Sequence, residues 1–578
     1  MSSPVATQTI LPDRFAAQVR TSLQRIGEQQ LMERIWSKDA SLWTSDDAAQ
    51  RHIRNRLGWF AIASLMEPHI PHIESRAKEI RDAGFTHALL FGMGGSGLFP
   101  EVCRHTFGVA KGWLDLTLMD TTDPTAIAAA RTRIPLERTL FIVSSKSGST
   151  TESNSLCDYF YDEVRKVKGD RAGEQFVAIT DAGTSLEAKA KELRFRDAFV
   201  HGPTSGQDVG GRFSGLTCFG LFPAALIGVN VREILARAKA VADACGPSTP
   251  VTENPAAQLG AFMADGVAAH RDKITLLSSS RLTRFGLWVE QLIAESIGKS
   301  GKGIIPIDGE PLRKPSAYPS DRLFVELQLK TELDQSLAKH ADELAKLGHP
   351  VVRIYWNDAY DLGGDAMRWF LATAVTAALM NLNAFDEPNV QESKDRTKAL
   401  LDRFAKEGRL PDAPPSLIDG PLGLYDAHAI DSAKSAAQAI QLFLRQAKPG
   451  DYLALTSFLP RTSTLDHAVE ELFKRLSTNL PIATTLGFGP RYLHSTGQLH
   501  KGGSDQIMLL FLTSGDPVDV PVPGKPYSFS ILKQAQALGD LQALQERKRR
   551  VLRVHLGPSP ESAMPKLLEA VDNALAAA

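Results

Sequence analysis

The fold of this chain is set by the stretch Ala88-Leu89-Leu90-Phe91-Gly92-Met93-Gly94-Gly95-Ser96-Gly97, in which an apolar strand-like run passes directly into a glycine loop. The arrangement recurs when the apolar run Leu140–Val143 leads into Ser144-Ser145-Lys146-Ser147-Gly148-Ser149-Thr150-Thr151-Glu152-Ser153. A helix-like pattern follows each loop. Because backbone donors and hydroxyls at helix N-termini favour an anion, the two loops predict a parallel α/β sheet with a phosphate pocket at one edge.

A third loop, Asp208-Val209-Gly210-Gly211-Arg212-Phe213-Ser214, adds an arginine to the glycines and hydroxyls of the first two. One such loop alone would be weak evidence for a binding site. Three of them, each separated from the next by strand and helix patterns, predict that their polar groups meet around one phosphorylated small molecule.

Composition excludes several classes of function. The chain has 578 residues, of which 43% are hydrophobic and 23% charged, as in a soluble globular protein of about three or four domains. A formal net charge of −1 shows no nucleic-acid footprint, and the basic run 547–550 is interpreted as a helix end. The longest apolar stretch, 370–380, is too short to span a bilayer. We therefore expect no nucleic-acid or membrane partner.

The four cysteines, Cys103, Cys157, Cys218 and Cys245, have no paired short spacing, which argues against a zinc site and against a disulfide framework. The N-terminus lacks a basic segment leading into an apolar core. We therefore expect a cytoplasmic protein without a metal ion.

Strand patterns alternate with helix patterns along most of the chain, which predicts tandem doubly wound parallel sheets with helices on both faces. The expected order is an N-terminal helical arm, two α/β domains, a proline-rich linker and a third α/β domain. We assign these to residues 1–60, 61–250, 251–405, 406–430 and 431–578, respectively. The second and third domains share an order of strands, hydroxyl-bearing turns and helices, which fits either a diverged repeat or chance similarity.

One carboxylate in the second domain is a candidate for chemistry. The helical pattern of 288–299 places Glu295 on the apolar face of Leu292, with Gln291 one turn before it. An inward carboxylate is costly unless it is paired or useful, and partial desolvation would suit it for proton exchange with carbon. The alternative is a solvated pair with Lys299 at i+4. This segment alone leaves both open.

Two further clusters contain candidate groups. The segment 385–394 reads as a helix end, a Pro-containing turn and a new helix start. The segment 492–503 contains His494 and His500 among glycines. These histidines could relay protons near neutral pH, or they could be incidental residues of a surface loop.

Taken together, these segments resemble the phosphoglucose isomerases, a family of tandem sugar-isomerase domains with parallel α/β sheets. The likeness covers roughly residues 60 to 400, and with the third domain it is similar to the isomerase half of bifunctional transaldolase/phosphoglucose isomerases. It implies that Arg212 is the active-site arginine, Glu295 the base and Lys394 the active-site lysine. It also implies substrate contacts from Gly95, Ser96, Ser145, Lys146, Ser147, Thr150, Ser153 and Gln291.

The chain departs from the family pattern in three places. Glu387 stands where the family usually has glutamine, and Gln391 stands where it has glutamate. Residues 296–339 contain no histidine, although the family's ring-opening histidine belongs there. Its pattern, Leu-His-Ser-x-Gly-Gln, is found instead at 493–498 in the third domain. In the family this histidine comes across a dimer interface, so we hypothesise that the third domain supplies His494 in the partner's place, within one chain or between chains.

The resemblance implies aldose–ketose interconversion of glucose 6-phosphate and fructose 6-phosphate through a cis-enediolate, without a cofactor. Glu295 would move the proton between carbons, Arg212 would stabilise the enediolate, and His494 with Lys394 would open the sugar ring. A homodimer is left open. Two alternatives also stay open: an isomerase of a related hexose phosphate such as mannose 6-phosphate, and a non-catalytic regulatory protein that binds a sugar phosphate.

Overall fold

The computed structural model describes residues 5–201, 208–426 and 430–577, and the predicted arm, first domain, linker and third domain each include residues outside these ranges. The chain forms two compact units. Unit 1 comprises residues 1–120, 135–308 and 320–386, and unit 2 comprises residues 121–134, 309–319 and 387–578. Two short stretches that lie between parts of unit 1 in the sequence therefore belong to unit 2.

The strands are β1 Thr7–Leu11, β2 His87–Gly92, β3 Asp115–Met119, β4 Thr139–Ser144, β5 Phe176–Asp181, β6 Asp197–His201, β7 Lys273–Ser278, β8 Ile305–Ile307, β9 Arg322–Leu329, β10 Val351–Trp356, β11 Leu417–Asp419, β12 Leu422–Tyr425, β13 Tyr452–Ser457, β14 Ala483–Phe488, β15 Ile507–Thr513 and β16 Arg550–His555. The helices before residue 250 are α1 Asp13–Glu28, α2 Leu31–Trp36, α3 Asp47–Asn55, α4 Ile62–Met66, α5 Ile70–Asp82, α6 Gly95–Phe107, α7 Pro124–Arg133, α8 Thr151–Lys168, α9 Ser185–Glu192, α10 Cys218–Leu226 and α11 Val231–Ala244. Those after it are α12 Pro255–Ala268, α13 Thr283–Ile297, α14 Gln335–Lys346, α15 Asp361–Met380, α16 Pro388–Glu407, α17 Ala436–Leu444, α18 Ser463–Asn479, α19 Gly497–Gly502, α20 Phe529–Glu546 and α21 Pro560–Ala576.

The first sheet of unit 1 has the strand order β3-β2-β4-β5-β6, and all its pairs are parallel. The chain leaves β2 toward β3 on one side and returns to β4 on the other side. The order therefore reverses between β2 and β4, and the crevice at this reversal is where open α/β sheets bind ligands. The two glycine and hydroxyl loops predicted to bind phosphate follow β2 and β4.

The second sheet of unit 1 has the order β1-β10-β9-β7-β8, in which β7 to β10 are parallel and β1 pairs antiparallel with β10. Strand β1 was not predicted, because the N-terminal region was expected to be entirely helical. Its sequence, Thr-Gln-Thr-Ile-Leu, is rich in β-branched residues, but at five residues it is too short to show a clear period.

One continuous apolar core joins both sheets of unit 1. Aromatic rings pack at the loop that carries Arg212: Trp59 stacks on Phe213 with ring centroids 5.1 Å apart, and Phe213 also contacts Phe370 at 5.2 Å. Trp288 of α13 reaches the same cluster through Phe370 at 5.4 Å. This packing fixes the arginine loop against α13, since ring pairs at these distances are attractive and leave little space for movement.

Unit 2 is built on a sheet of order β11-β12-β16-β15-β13-β14, with β13 to β16 parallel. Strand β12 pairs antiparallel with β16, just as β1 does with β10. The parallel part has the same order as β8-β7-β9-β10, which favours the repeat interpretation over chance. Strands β11 and β12 form a hairpin inside the stretch predicted as a linker. The predicted α/β class with multiple parallel sheets is confirmed. Among the described helices, none has both the length and the apolar character to cross a membrane.

Candidate functional site

Two helix N-termini meet at the switch point of the first sheet. Helix α6 begins at Gly95 and α8 begins at Thr151, and neither has a side-chain hydrogen bond from its N-cap residue. The hydroxyl of Thr150, the N-cap residue of α8, pairs instead with Ser145 Oγ at 2.8 Å. Because the first N–H groups of a helix have no partner within the helix, these two ends form a site suited to an anion.

The hydroxyls of this region differ in exposure. Ser145 and Ser153 are buried, at 2% and 1% exposure, whereas Ser147 is exposed and pairs with Ser149 at 3.0 Å. The buried Oγ of Ser153, in the first turn of α8, has no hydrogen-bond partner within the described structure. A buried hydroxyl without a hydrogen-bond partner is costly, and a ligand bound at this helix end would supply the missing partner.

The glycine loop after β2 lies directly against the loop that carries Arg212. A Cβ atom on Gly95 would lie 2.0 Å from the carbonyl oxygen of Gly211, so only glycine fits there. The hydroxyl of Ser144 donates to the carbonyl oxygen of Ser96 at 3.0 Å and joins the loop after β4 to the same assembly. All three predicted loops are therefore in contact.

Lys146 ties the second loop to the third. Its Nζ donates to Asp181 and, at 2.5 Å, to Oδ1 of Asp208, while Arg56 Nε lies 3.6 Å from Oδ2 of Asp208. Burial raises the pKa of Asp181 despite the adjacent lysine. The structure thus shows Lys146 between two carboxylates, and its predicted contact with substrate stays a prediction. Sequence reasoning missed Asp181, although it ends β5 at the ligand edge of the sheet.

Arg212 is the most highly connected side chain of the site and is 2% exposed. Its Nε donates to Ser296 Oγ at 2.7 Å, and its Nη1 lies 3.4 Å from Oε2 of Glu295. Its Nη2 donates to the backbone carbonyls of Ala384 at 2.5 Å and Asp386 at 3.0 Å. A planar guanidinium presents its donors in a fixed fork. Arg212 therefore holds its own loop, α13 and the segment 384–386 together around the carboxylate of Glu295.

Glu295 lies near the end of α13 and is 6% exposed, as its predicted position on the apolar face requires. Gln291 Nε2, one turn earlier, lies 3.4 Å from Oε1 of Glu295. Lys299 donates to the carbonyl oxygen of Asp386 at 2.5 Å and to its Oδ1 at 2.8 Å. A solvated surface pair does not describe Glu295, because the carboxylate is buried beside the guanidinium of Arg212.

Unit 2 brings together the two remaining predicted segments. Lys394 is exposed on α16, and His494 is half-buried at the end of a short 3₁₀ turn. Gln498 joins these segments reciprocally: its Oε1 accepts from the backbone N–H of Asn389 at 2.9 Å, and its Nε2 donates to Asn389 Oδ1 at 2.7 Å. The displaced histidine pattern and the start of the lysine helix are therefore neighbours.

His500 has a different environment from the one expected of a proton relay. It lies in α19 and is 2% exposed, and burial lowers its pKa to about 3, with Lys501 and Arg549 adding repulsion. Because it is uncharged near neutral pH and far from its titration range, it cannot exchange protons there. The surface-loop alternative is also wrong for His500, which is in a buried helix.

Within the described residues, no group of three or more histidine, cysteine, aspartate or glutamate side chains is arranged to hold a metal ion. The cysteines Cys103, Cys157, Cys218 and Cys245 are all buried and unpaired. The polar groups that converge on the site are instead hydroxyls, helix N-termini, one guanidinium and one carboxylate.

The fold and the site define an α/β protein with two helix N-termini, neither capped by a side chain, at the switch point of a parallel sheet, and with a buried glutamate–arginine pair. A family model described as phosphoglucose isomerase matches residues 72–310. A glucose-6-phosphate isomerase of Carboxydothermus hydrogenoformans is 28% identical over 409 residues, which are 61% of this chain and 86% of the relative. One from Synechococcus sp. strain JA-2-3B'a(2-13) is 34% identical over 396 residues, which are 59% of this chain and 72% of the relative.

A solved structure also resembles the chain. The crystal structure of a glucose-6-phosphate isomerase from Chlamydia trachomatis superposes with a TM-score of 0.55 at 19% identity, covering 67% of this chain and 86% of that one. At that identity the likeness establishes the fold alone. With the sequence matches, the conclusion is plain: the chain belongs to the phosphoglucose isomerase family, as its motifs predicted.

Proposed function

We propose that the chain is a glucose-6-phosphate isomerase that interconverts glucose 6-phosphate and fructose 6-phosphate through a cis-enediolate. The observation that carries the proposal is the buried contact of Glu295 with Arg212, on a loop that touches the glycine loop of the anion pocket. The relatives from Carboxydothermus and Synechococcus, both named glucose-6-phosphate isomerase, support it.

The pocket at the switch point would hold the phosphate of the substrate. Donors would come from the N-termini of α6 and α8 and from the hydroxyls of Ser96, Ser145, Ser147, Thr150 and Ser153, with the backbone of Gly95 close to the substrate. The phosphate does not react, so its binding energy is available to position the carbons of the sugar chain. Gln291 would orient the catalytic carboxylate.

Glu295 would act as the base. In the open-chain aldose it removes the proton on C2 while the carbonyl oxygen on C1 takes up negative charge, and it returns the proton to C1 after a hydroxyl proton has moved between the two oxygens. Arg212 would stabilise the negative enediolate oxygen. General base catalysis contributes about 10²–10⁴-fold, and a positioned donor at the developing charge about 10²–10³-fold.

His494 would open the sugar ring by moving a proton between the ring oxygen and the hydroxyl, with Lys394 as a second candidate for this step. The proposal rests on the Leu-His-Ser-x-Gly-Gln pattern and on the link between Asn389 and Gln498 that brings its segment to the lysine helix. His494 would serve either its own chain or a second copy of it.

The proposed setting is the cytoplasm, with a small sugar phosphate as substrate and neither nucleic acid nor membrane as partner. Four unpaired, buried cysteines suit a reducing compartment. We also propose a homodimer, as the resemblance suggests, and light scattering on the purified protein would decide it.

A coupled assay of the purified protein for conversion of fructose 6-phosphate to glucose 6-phosphate tests the proposal, with mannose 6-phosphate measured in parallel. Robust turnover of fructose 6-phosphate to glucose 6-phosphate is expected. Turnover to mannose 6-phosphate alone would reassign the substrate. Tight binding of fructose 6-phosphate without turnover of either product would contradict the enzyme and favour a regulatory binding protein.

A further inference from the structure

Unit 2 has a cavity that the proposed reaction does not use. In its sheet the strand order reverses between β13 and β15, and the cavity of about 260 Å³ lies at the carboxyl ends of β13, β15 and β16, beside α20. Ligands of open parallel sheets bind outside the carboxyl ends of the strands at such a reversal. None of the residues proposed for the isomerase site lines it.

One part of the cavity wall is aromatic and aliphatic. Phe458 and Phe511 lie in a stacked arrangement, with ring centroids 5.5 Å apart and an angle of 24° between the rings. Leu538 and Leu541 of α20 also line the space. Apolar walls with a few polar groups are typical of small-molecule sites, and two aromatic rings favour the flat face of another ring.

The other part of the wall is a chain of hydrogen bonds. Arg553 Nη1 and Nη2 donate to the carboxylate of Asp412 at 2.7 and 2.8 Å, and its Nε donates to Thr513 Oγ1 at 3.0 Å. His555 Nδ1 lies 3.1 Å from the same hydroxyl. Thr513 Oγ1, which accepts from the arginine, can donate its own proton to Nδ1 or accept a second hydrogen bond from it. In the first case His555 Nε2 is a donor toward a ligand, and in the second case it is an acceptor.

The charges around the cavity leave no surplus for an anion. Arg553 is paired with Asp412, and the ammonium of Lys533 is paired with Asp123 at 2.8 Å and with Asp516. Asp516 lies in the loop after β15, where a phosphate would be placed by analogy with the first sheet. Two cations facing three carboxylates disfavour a phosphorylated ligand, since like charge at close range is repulsive.

We propose that this cavity binds a neutral aromatic heterocycle of nucleoside size. The ring would lie among Phe458, Phe511 and Leu538, and its edge would exchange hydrogen bonds with His555 Nε2 and with the amide of Gln534, which also lines the cavity. A nucleobase offers both donors and acceptors along its edge, as these groups require.

The test is a calorimetric titration of the purified full-length protein with adenosine, guanosine, cytidine and uridine, followed by adenosine 5′-monophosphate and fructose 6-phosphate. At least one nucleoside should saturate a single site. Adenosine 5′-monophosphate should bind no more tightly than adenosine, and fructose 6-phosphate should not displace the nucleoside. No binding by any of the four nucleosides, tighter binding of the phosphate form, or displacement by fructose 6-phosphate would each overturn the proposal.

Substitutions in the cavity wall test whether the nucleoside binds in this cavity. Leu538→Trp fills the cavity and should weaken nucleoside binding about tenfold or more, ~1.4 kcal/mol. Leu347→Trp makes the same change at a position that is 57% exposed in unit 1 and should leave binding unchanged. If Leu538→Trp does not fold, as judged by circular dichroism, Gln534→Leu removes the edge amide and should weaken binding by itself. Unchanged affinity in a folded Leu538→Trp protein, or in Gln534→Leu where that variant replaces it, would overturn the assignment.

Discussion

Replacing Gly95 by alanine should disrupt the site through one atom. The added Cβ would lie 2.0 Å from the carbonyl oxygen of Gly211 and 3.2 Å from the Cα of Arg212. Both neighbours are backbone atoms, so no side chain can rotate to make room. The glycine loop and the arginine loop must therefore move apart.

The size of that movement sets the expected loss. Real Cβ contacts shorter than 3.0 Å essentially do not occur, so the gap must widen by at least about 1 Å. A 1 Å misplacement of catalytic groups costs about 10²-fold in rate, which corresponds to about 2.7 kcal/mol of activation free energy. We expect kcat/KM for fructose 6-phosphate to fall by about that factor.

The assay is steady-state turnover of Gly95→Ala, with Gly210→Ala as the matched control. The same methyl group on Gly210 would meet only Phe213 Cδ2, at the ordinary distance of 3.5 Å, and the backbone at Gly210, with φ of −55° and ψ of 150°, is open to alanine. The control should stay within a few-fold of wild type. A folded Gly95→Ala protein with wild-type kcat/KM would refute the inference that this contact positions Arg212.

Three further outcomes are expected. Asp208→Asn should weaken binding of a sugar phosphate by about tenfold, because Lys146 loses an ion-pair partner that holds its loop; unchanged or tighter binding in an equilibrium titration would contradict that role of the ion pair. His494→Ala should lower kcat on ring-closed substrate, and wild-type turnover in a stopped-flow assay would remove this residue from the mechanism. Burial lowers the pKa of His500 to about 3 in the folded chain, so its imidazole stays neutral at mildly acidic pH. In the unfolded chain the same imidazole takes up a proton, and the free energy of unfolding therefore decreases as pH falls from about 6.5 toward 3. Between about pH 6.5 and 5 the free energy of unfolding should decrease by about 2 kcal/mol, and His500→Gln should reduce this pH dependence as measured by urea unfolding. An equal pH dependence in both proteins would contradict the lowered pKa of His500.

The positions of the two loops proposed to bind phosphate were predictable because their signals are local. A glycine and hydroxyl loop between a strand pattern and a helix pattern can be read from a dozen residues, and both loops lie at the predicted sheet edge. The burial of Glu295 was likewise predictable from its spacing to Leu292 on one helix.

The remaining parts of the site depend on contacts between distant segments. The carbonyl groups of Ala384 and Asp386, which accept hydrogen bonds from the Arg212 guanidinium, belong to the backbone. A backbone carbonyl carries no residue-specific signal in the sequence. Asp181 was missed because an aspartate after a strand has many ordinary roles. The low pKa of His500 arises from burial in tertiary structure, which a glycine-flanked histidine does not reveal.

The most direct test of the central claim compares wild type with Glu295→Gln, which has nearly the same shape but cannot accept a proton from carbon. Turnover of fructose 6-phosphate should fall by about 10²–10⁴-fold or more, while the dissociation constant of a non-reacting sugar-phosphate analogue should stay near the wild-type value. Full activity in Glu295→Gln would contradict its role as the base, and parallel loss of binding and turnover would show that Glu295 serves only the structure of the site.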